Sequence, residues 1–229
     1  MPAITAEATP PSASTEDYLK AIFSIISSGE EAASTNDLAE LLDISAGSVS
    51  AMIKRLDEEG LVEHIPYRGV SLTAEGEQLA LRVLRRHRLL ELYLTEELGV
   101  PWNRVHEEAE ILEHAISDDL IERIATKLGD PGFDPHGDPI PTRDLVLNTR
   151  RAEPLAELDA GTTAIFVRIS DRNSEMLSYL SSLGIAIGDE LRLIDREPFE
   201  GPCRVEAGGT VHTLGIPLAA AMQVQPLVG

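Results

Sequence analysis

Apolar residues return at helical intervals through the first third of the chain. In STEDYLKAIFSIISS (14–28), Tyr18, Ile22, Ile25 and Ile26 share one side of a helix, with Ser14 or Thr15 as its N-cap. STNDLAELLDI (34–44) places Leu38, Ala39, Leu41 and Leu42 together, and SAGSVSAMIKRLDEEG (45–60) does the same with Val49, Met52, Ile53 and Leu56. Gly60 then supplies the residue type that ends a helix in a left-handed conformation. The period shortens in LVEHIPYRGVSLT (61–73), two β-like runs around Pro66, Tyr67, Arg68 and Gly69 that predict a hairpin. A long helix follows over 73–99, with Leu79, Val83, Leu84, Leu90 and Leu94 covering more than one stripe, and two more helices are expected over 102–117 and 118–129. DPGFDPHGDPIPTRD (130–144), with four prolines and Gly132 and Gly137, reads as a loop or linker. Beyond it the pattern turns to short strands, 162–170, 189–197, 201–209 and 210–217, interrupted by one helix over 173–184.

Helix, helix, turn, helix, hairpin is the order of a winged helix-turn-helix. A helical region with several apolar faces behind it suggests dimerisation, and the strands with glycine turns fit a small SH3-like barrel. The expected fold is therefore mainly α with β. A disordered tail over 1–13 precedes a winged helix-turn-helix over 14–76, then come a helical metal-binding and dimerisation domain over 77–142, a linker over 143–160, and an SH3-like domain over 161–229.

Composition narrows the setting. Cys203 is the only cysteine, so no intrachain disulfide is possible, and a reducing cytoplasm is expected. No stretch approaches a membrane span, and MPAITAEATPPS lacks the features of a signal peptide. With 19 Lys and Arg against 39 Asp and Glu, the formal net charge is −20, which argues against constitutive binding to nucleic acid. Any DNA-binding surface must be local. The third helix opens with Ser45, Ala46, Gly47, Ser48 and Ser50, small or hydroxyl side chains that let a helix N-terminus approach phosphates and base edges closely. Thr35, Ala51, Lys54 and the hairpin's Arg68 complete the candidate DNA contacts.

The acidity also concentrates in RVHEEAEILEHAISDD (104–119), where His106 to His114 contains four glutamates and two histidines. At about 100° per residue, His106, Glu110, Glu113 and His114 fall on one helical face. His87 and Glu91, four apart on the preceding helix, form a second pair, and Asp17 joins them if helix one packs across. Mixed imidazole and carboxylate donors suit a divalent first-row metal, whose charge compensates the crowded glutamates. Glu107 and Glu108 are expected in solvent. A di-metal hydrolase would need a general base or substrate pocket beside this cluster, and neither a Ser/His/Asp arrangement nor a Gly-rich phosphate loop is present in the sequence. A winged-helix regulator answering an organic effector would keep its DNA affinity when Glu110 is replaced.

The motifs TEDYLKAI (15–22), DLAELLDISAGSVSAMIKRLDEEGLVE (37–63), LTAEGE (72–77), RRHRLLELYL (85–94), VHEEAEILEHAISDD (105–119) and DPHGDPIP (134–141) resemble the diphtheria-toxin-repressor family of metal-dependent transcription regulators, its manganese-responsive members most. The C-terminal segment is more weakly similar to the family's SH3-like, or ferrous-transport-A-like, domain. The resemblance implies a homodimer that binds a palindromic operator in double-stranded DNA, most often to repress metal-uptake genes. It also implies two neighbouring metal positions, one of His87, Glu91 and His106 and one of Asp17, Glu110, Glu113 and His114. Iron-sensing relatives carry Met and Cys where this chain has Asp17 and Glu110, and oxygen donors at both places favour Mn2+ over Fe2+, with Co2+ and other divalent ions as competitors. Lys20 stands where short manganese-responsive relatives have Glu, and Gly47 and Ala51 replace the Pro and Gln of iron-sensing ones. Relatives with the third domain lend a carboxylate and an amide to the first position. The aligned places fall near Asn173 and Met176, so Glu175 or Asp171 is the expected substitute.

Overall fold

The computed structural model describes residues 11–65, 67–199 and 201–227. They form two compact units, one ending at Arg85 and the other beginning at Arg86. Most of the tail expected over 1–13 lies outside the described residues, as does Pro66 of the hairpin. Ser12 and Ala13, however, already belong to a helix start. The N-cap is Ser12 rather than Ser14 or Thr15, because its backbone is extended and its hydroxyl accepts from the Thr15 amide at 3.2 Å. A cap of this kind is worth about 1 kcal/mol.

The first unit follows the predicted order. Helices α1 (Ala13–Ser27), α2 (Thr35–Leu41) and α3 (Ala46–Glu58) lead into the antiparallel hairpin of β1 (Val62–Ile65) and β2 (Gly69–Leu72). Ser34 and Ser45 cap α2 and α3, and Gly60 takes φ +73° after α3. The periodic apolar residues close a core in which Leu19, Ile22, Leu38, Val49 and Leu56 are fully buried. The hairpin is stitched to the α1–α2 loop by two backbone bonds between Ala33 and Val70, of 2.8 and 3.0 Å. Gly69 makes this possible: its φ is +131°, and a Cβ there would stand 2.0 Å from the Ala33 carbonyl oxygen.

Helix α4 (Ala74–Leu98) continues into the second unit, followed by α5 (Val105–Leu112) and α6 (Asp118–Lys127). The helix expected over 102–117 is shorter at both ends. A turn from Pro101 delays its start, and two bonds onto the Leu112 carbonyl close it so that Ser117 can cap α6. Glu113 is therefore its C-cap, and His114 lies beyond it. Leu89, Leu92, Ala109, Ile121, Ala125 and Ile140 pack this region.

The C-terminal part is a six-stranded antiparallel sheet in the order β3-β8-β4-β5-β6-β7. The strands are β3 (Glu153–Pro154), β4 (Thr163–Arg168), β5 (Glu190–Arg196), β6 (Cys203–Ala207), β7 (Thr210–Leu214) and β8 (Gln223–Pro226). Helices α7 (Ser174–Leu183) and α8 (Ile216–Ala221) accompany them. Residues 153–158, inside the stretch expected as linker, add β3 and a 3-10 turn and bury Leu155 and Leu158 in this core. Gly137, at φ +84°, lets the 130–144 segment lie against β4, since a Cβ there would stand 1.9 Å from the Val167 carbonyl oxygen. Ile169 donates to the His136 carbonyl beside it at 2.9 Å. Among the described residues, no helix is long and apolar enough to cross a membrane.

Candidate metal centre

Glu91 sits in the middle of the second unit with none of its side chain exposed. The i, i+4 spacing on α4 brings His87 Nε2 to 3.0 Å from Glu91 Oε1. His106, in the first turn of α5, places Nδ1 3.3 Å from the same oxygen and 3.1 Å from His87 Nε2. Asp171, in the turn between β4 and α7, closes the group with Oδ2 3.0 Å from His106 Nδ1. Of the two substitutes expected from the third domain, the structure brings Asp171 into the site, whereas Glu175 is exposed in the first turn of α7.

Four donor atoms separated in this way match the edges of a coordination shell, because metal bonds of about 2.0–2.2 Å at right angles put ligands about 3 Å apart. The hydrogen-bond pattern orients them. Glu113 Oε2 accepts from His87 Nδ1 at 2.5 Å, so the Nε2 lone pair of His87 points into the group, the carboxylate–histidine pairing typical of metal ligands. Glu113 was assigned by resemblance to the second position, and the structure adds this bond to the first. Glu110 lies between the two histidines, 3.5 Å from His106 Nε2 and 3.9 Å from His87 Nδ1. His114 Nε2 is 3.5 Å from Glu113 Oε1. Asp17 lies on α1 in the first unit, and Glu107 and Glu108 are exposed as expected.

The other side of Glu91 was not anticipated. His136 Nε2 donates to the Trp102 carbonyl at 2.7 Å, its ring stacks on the Trp102 indole with centroids 5.9 Å apart, and Nδ1 therefore turns toward Glu91 Oε2 at 3.7 Å. Both of those atoms are buried without a hydrogen-bond partner. Asp134 completes a second possible donor set with Glu91 and His136. Its Oδ1 also accepts from the His136 and Asp138 amides, both at 2.9 Å, which fixes the turn. The proline-rich loop is thus part of the centre. The signal available in the sequence was DPHGD itself, a histidine bracketed by two aspartates.

Charge is balanced here by protons. Burial pushes the Glu91 carboxyl upward, but the imidazoles of His106, His136 and His87 outweigh it and hold Glu91 well below the usual carboxylate range. Burial favours neutral His106, yet its bonds to Asp171 and Glu91 raise it to about 10. His136 rises against burial to about 9 through Glu91 and Asp134. Asp171 is lowered, since the His106 bond overcomes its burial, whereas Asp134 is raised well above its ordinary value by burial and then by the charges of Glu91 and Asp138. A cation entering such a cluster displaces protons.

The candidate DNA contacts lie elsewhere. Ser45, Ala46, Gly47, Ser48, Ser50, Ala51 and Lys54 are exposed along α3, and Thr35 is half-buried at the start of α2. Lys54 is 3.8 Å from Glu58, and Arg68 at the hairpin tip is ion-paired with Glu31.

Three family profiles match: the N-terminal DNA binding domain of iron dependent repressors over residues 12–70, their metal binding and dimerisation domain over 73–142, and the FeoA domain over 153–226. The diphtheria toxin repressor of Corynebacterium efficiens is 34% identical over 230 residues, covering 94% of this chain and 96% of that protein. A solved structure of a manganese-dependent transcriptional repressor in complex with manganese is 43% identical, with a TM-score of 0.87, over 93% of this chain and all of that one. ScaR with bound Cd2+ is 31% identical with a TM-score of 0.79, over 95% of this chain and all of that one. The chain belongs to the diphtheria toxin repressor family of metal-dependent, DNA-binding transcriptional repressors.

Proposed function

We propose that this chain is a cytoplasmic, homodimeric repressor of metal-uptake genes that binds a palindromic DNA operator when loaded with Mn2+. The observation that carries the proposal is the convergence of His87, Glu91, His106 and Asp171, drawn from three separate stretches of chain, with neighbouring donor atoms 3.0–3.3 Å apart and all four within 4.8 Å of one another. The buried Glu91 Oε2 and His136 Nδ1, facing each other without hydrogen-bond partners, support the fit of a cation on the far side of Glu91. A bound divalent ion would supply two positive charges to carboxylates now balanced by protonated imidazoles. By family resemblance, Asp17, Glu110, Glu113 and His114 hold the second ion. All carboxylate donors in the two sets are hard oxygens, and neither set contains a sulfur ligand, which favours Mn2+ over softer ions.

The chain's own residues do the switching. Asp17 lies on the helix that opens the DNA-reading unit, so its engagement fixes that unit and sets the recognition helices of the dimer at half-site spacing. Exposed Leu98, Ile111, Leu112 and Leu120 on α4, α5 and α6 offer apolar surface for the second copy. Moving a two-state regulator from mostly inactive to mostly active takes about 5 kcal/mol of differential metal affinity, within reach of two divalent sites. The test is an electrophoretic mobility-shift titration against genomic fragments with and without Mn2+. Retardation only with Mn2+, lost in Glu110→Ala, is expected; metal-independent retardation sinks the proposal. Parallel titrations with Fe2+ and Co2+ rank selectivity.

A further inference from the structure

Arg55, on the exposed side of α3, was assigned no role by its sequence pattern. Its guanidinium reaches back to the start of α1: Nη2 donates to Thr15 Oγ1 at 3.0 Å and lies 3.5 Å from Ser12 Oγ, while Nε bonds Glu59 Oε1 at 2.9 Å. Thr15 is almost wholly buried, at 1% exposure. Ser12 and Thr15 are also bonded to one another, hydroxyl to hydroxyl at 3.0 Å, and Ser12 is the N-cap of α1. The arginine therefore ties the capping group of one helix to the last turn of another. A first helical turn is the part that frays most readily, since its amides have no partners within the helix. This turn is followed directly by Asp17.

We infer that Arg55 is a positioning residue that makes the first turn of α1, with Asp17, rigid with respect to the recognition helix α3. Without the bond, the turn frays, and engagement of Asp17 is absorbed by local motion instead of being felt at α3. The inference rests on the reading of Asp17 as a metal ligand. Its chemistry separates Arg55 from an ordinary phosphate contact: the partner is a buried hydroxyl within the fold, so removing that hydroxyl alone must weaken the response. By linkage, the loss appears equally as weaker Mn2+ binding to the DNA-bound protein, while the DNA-free protein keeps its Mn2+ affinity.

The experiment uses the full chain, Mn2+, and a DNA fragment that the wild-type protein selects in the presence of Mn2+. Thr15→Val is expected to leave metal-free DNA affinity and calorimetric Mn2+ affinity unchanged, and to cut the Mn2+-induced gain in DNA affinity by about tenfold, the size of one hydrogen bond to a charged group. Thr15→Ser keeps the acceptor and is expected to restore the gain. Hydrogen exchange in Arg55→Gln provides an independent readout, with protection lost at the start of α1 and retained in α3. A full gain in Thr15→Val, or unchanged exchange in Arg55→Gln, overturns the inference. So does Arg55→Lys if it loses DNA affinity equally with and without Mn2+ while Thr15→Val behaves as wild type. If Asp17→Asn keeps the whole Mn2+ response, the ligand reading fails instead, whatever Thr15→Val does.

Discussion

In the proposed first metal position, Asp171 is the part contributed by the C-terminal sheet domain, and replacing it with alanine gives a quantitative test. Its Oδ2 stands 3.0 Å from His106 Nδ1, with side chains 20% and 36% exposed. Two unit charges at that distance attract by about 5 kcal/mol at an effective dielectric of about 20. Desolvation, side-chain ordering and screening offset most of this, leaving about 1–2 kcal/mol. Metal-free Asp171→Ala is therefore expected to be less stable than wild type at pH 7 by about that amount, measured by urea denaturation. A dication doubles the charge that the carboxylate faces, so Mn2+ affinity at the first position is expected to fall by about 10- to 100-fold. Isothermal titration calorimetry should resolve this as weakening of one class of site with the other unchanged. Glu175→Ala, which removes the exposed carboxylate at the start of α7, is the control and should bind as wild type. Wild-type affinity in Asp171→Ala, or an equal loss in Glu175→Ala, would refute the assignment.

Mn2+ binding should release protons, because coordination needs a neutral imidazole while His106 in the metal-free fold holds its proton up to about 10 and His136 up to about 9. Affinity should rise with pH below those values by about tenfold per pH unit for each proton released, and calorimetry in buffers of different ionisation enthalpy counts them; a count of zero contradicts the protonated cluster. Glu110→Cys places a soft donor in the acidic run and should shift preference from Mn2+ toward Fe2+ and Co2+, read by competition in anaerobic titrations. Gly137→Ala pushes a methyl group into the Val167 carbonyl and forces an alanine to φ +84°, so a loss of at least about 2 kcal/mol in unfolding free energy is expected, with Gly132→Ala, where the added methyl meets open space, as the mild control.

The helices of the first unit were legible because each buries one stripe of its own side chains, whereas the cap of α1 was not, since Ser12 rather than Ser14 or Thr15 has the extended backbone that a cap needs. The candidate ligand pair His87 and Glu91 was legible because the two lie one turn apart on one helix. What closes the site was not. Asp171 and His136 reach Glu91 only because β4 lies against the 130–144 segment, and that approach depends on Gly137, a residue that reads as a loop marker. Strand β3 is two residues long and exists through its pairing with β8, about seventy positions away, so no periodicity could reveal it. Helix α5 ends earlier than its apolar pattern suggests because the turn onto Leu112 prevails over propensity. His114 thus lies past the end of the helix, yet it stays 3.5 Å from Glu113, which reaches His87 from the C-cap.

The net charge of −20 remains to be squared with DNA binding, and the distribution of charges does so. Along the exposed side of α3, from Ser45 to Lys54, there is no carboxylate; the acids of that helix, Asp57 and Glu58, come only at its C-terminal end. The helix N-terminus, with its open amides and small side chains, can thus approach a phosphate without meeting a like charge. The available cations are nonetheless engaged within the protein: Lys54 with Glu58, Arg55 with Glu59 and Thr15, Arg68 with Glu31. Each contact to phosphate made by Lys54 or Arg68 requires one of these partners to be given up, and exposed pairs of this kind are worth less than about 1 kcal/mol, so the exchange is possible but adds little net affinity. Sequence-independent binding, which depends on the number of phosphates neutralised, should accordingly be weak. In the proposed dimer, affinity then comes from two recognition helices engaging two half-sites at once, the quantity that a metal-dependent change in helix position would control. In the proposed switch, an acidic chain whose recognition-unit cations are internally paired keeps the background low, while five of its 39 carboxylates, Asp17, Glu91, Glu110, Glu113 and Asp171, hold the ions that turn it on.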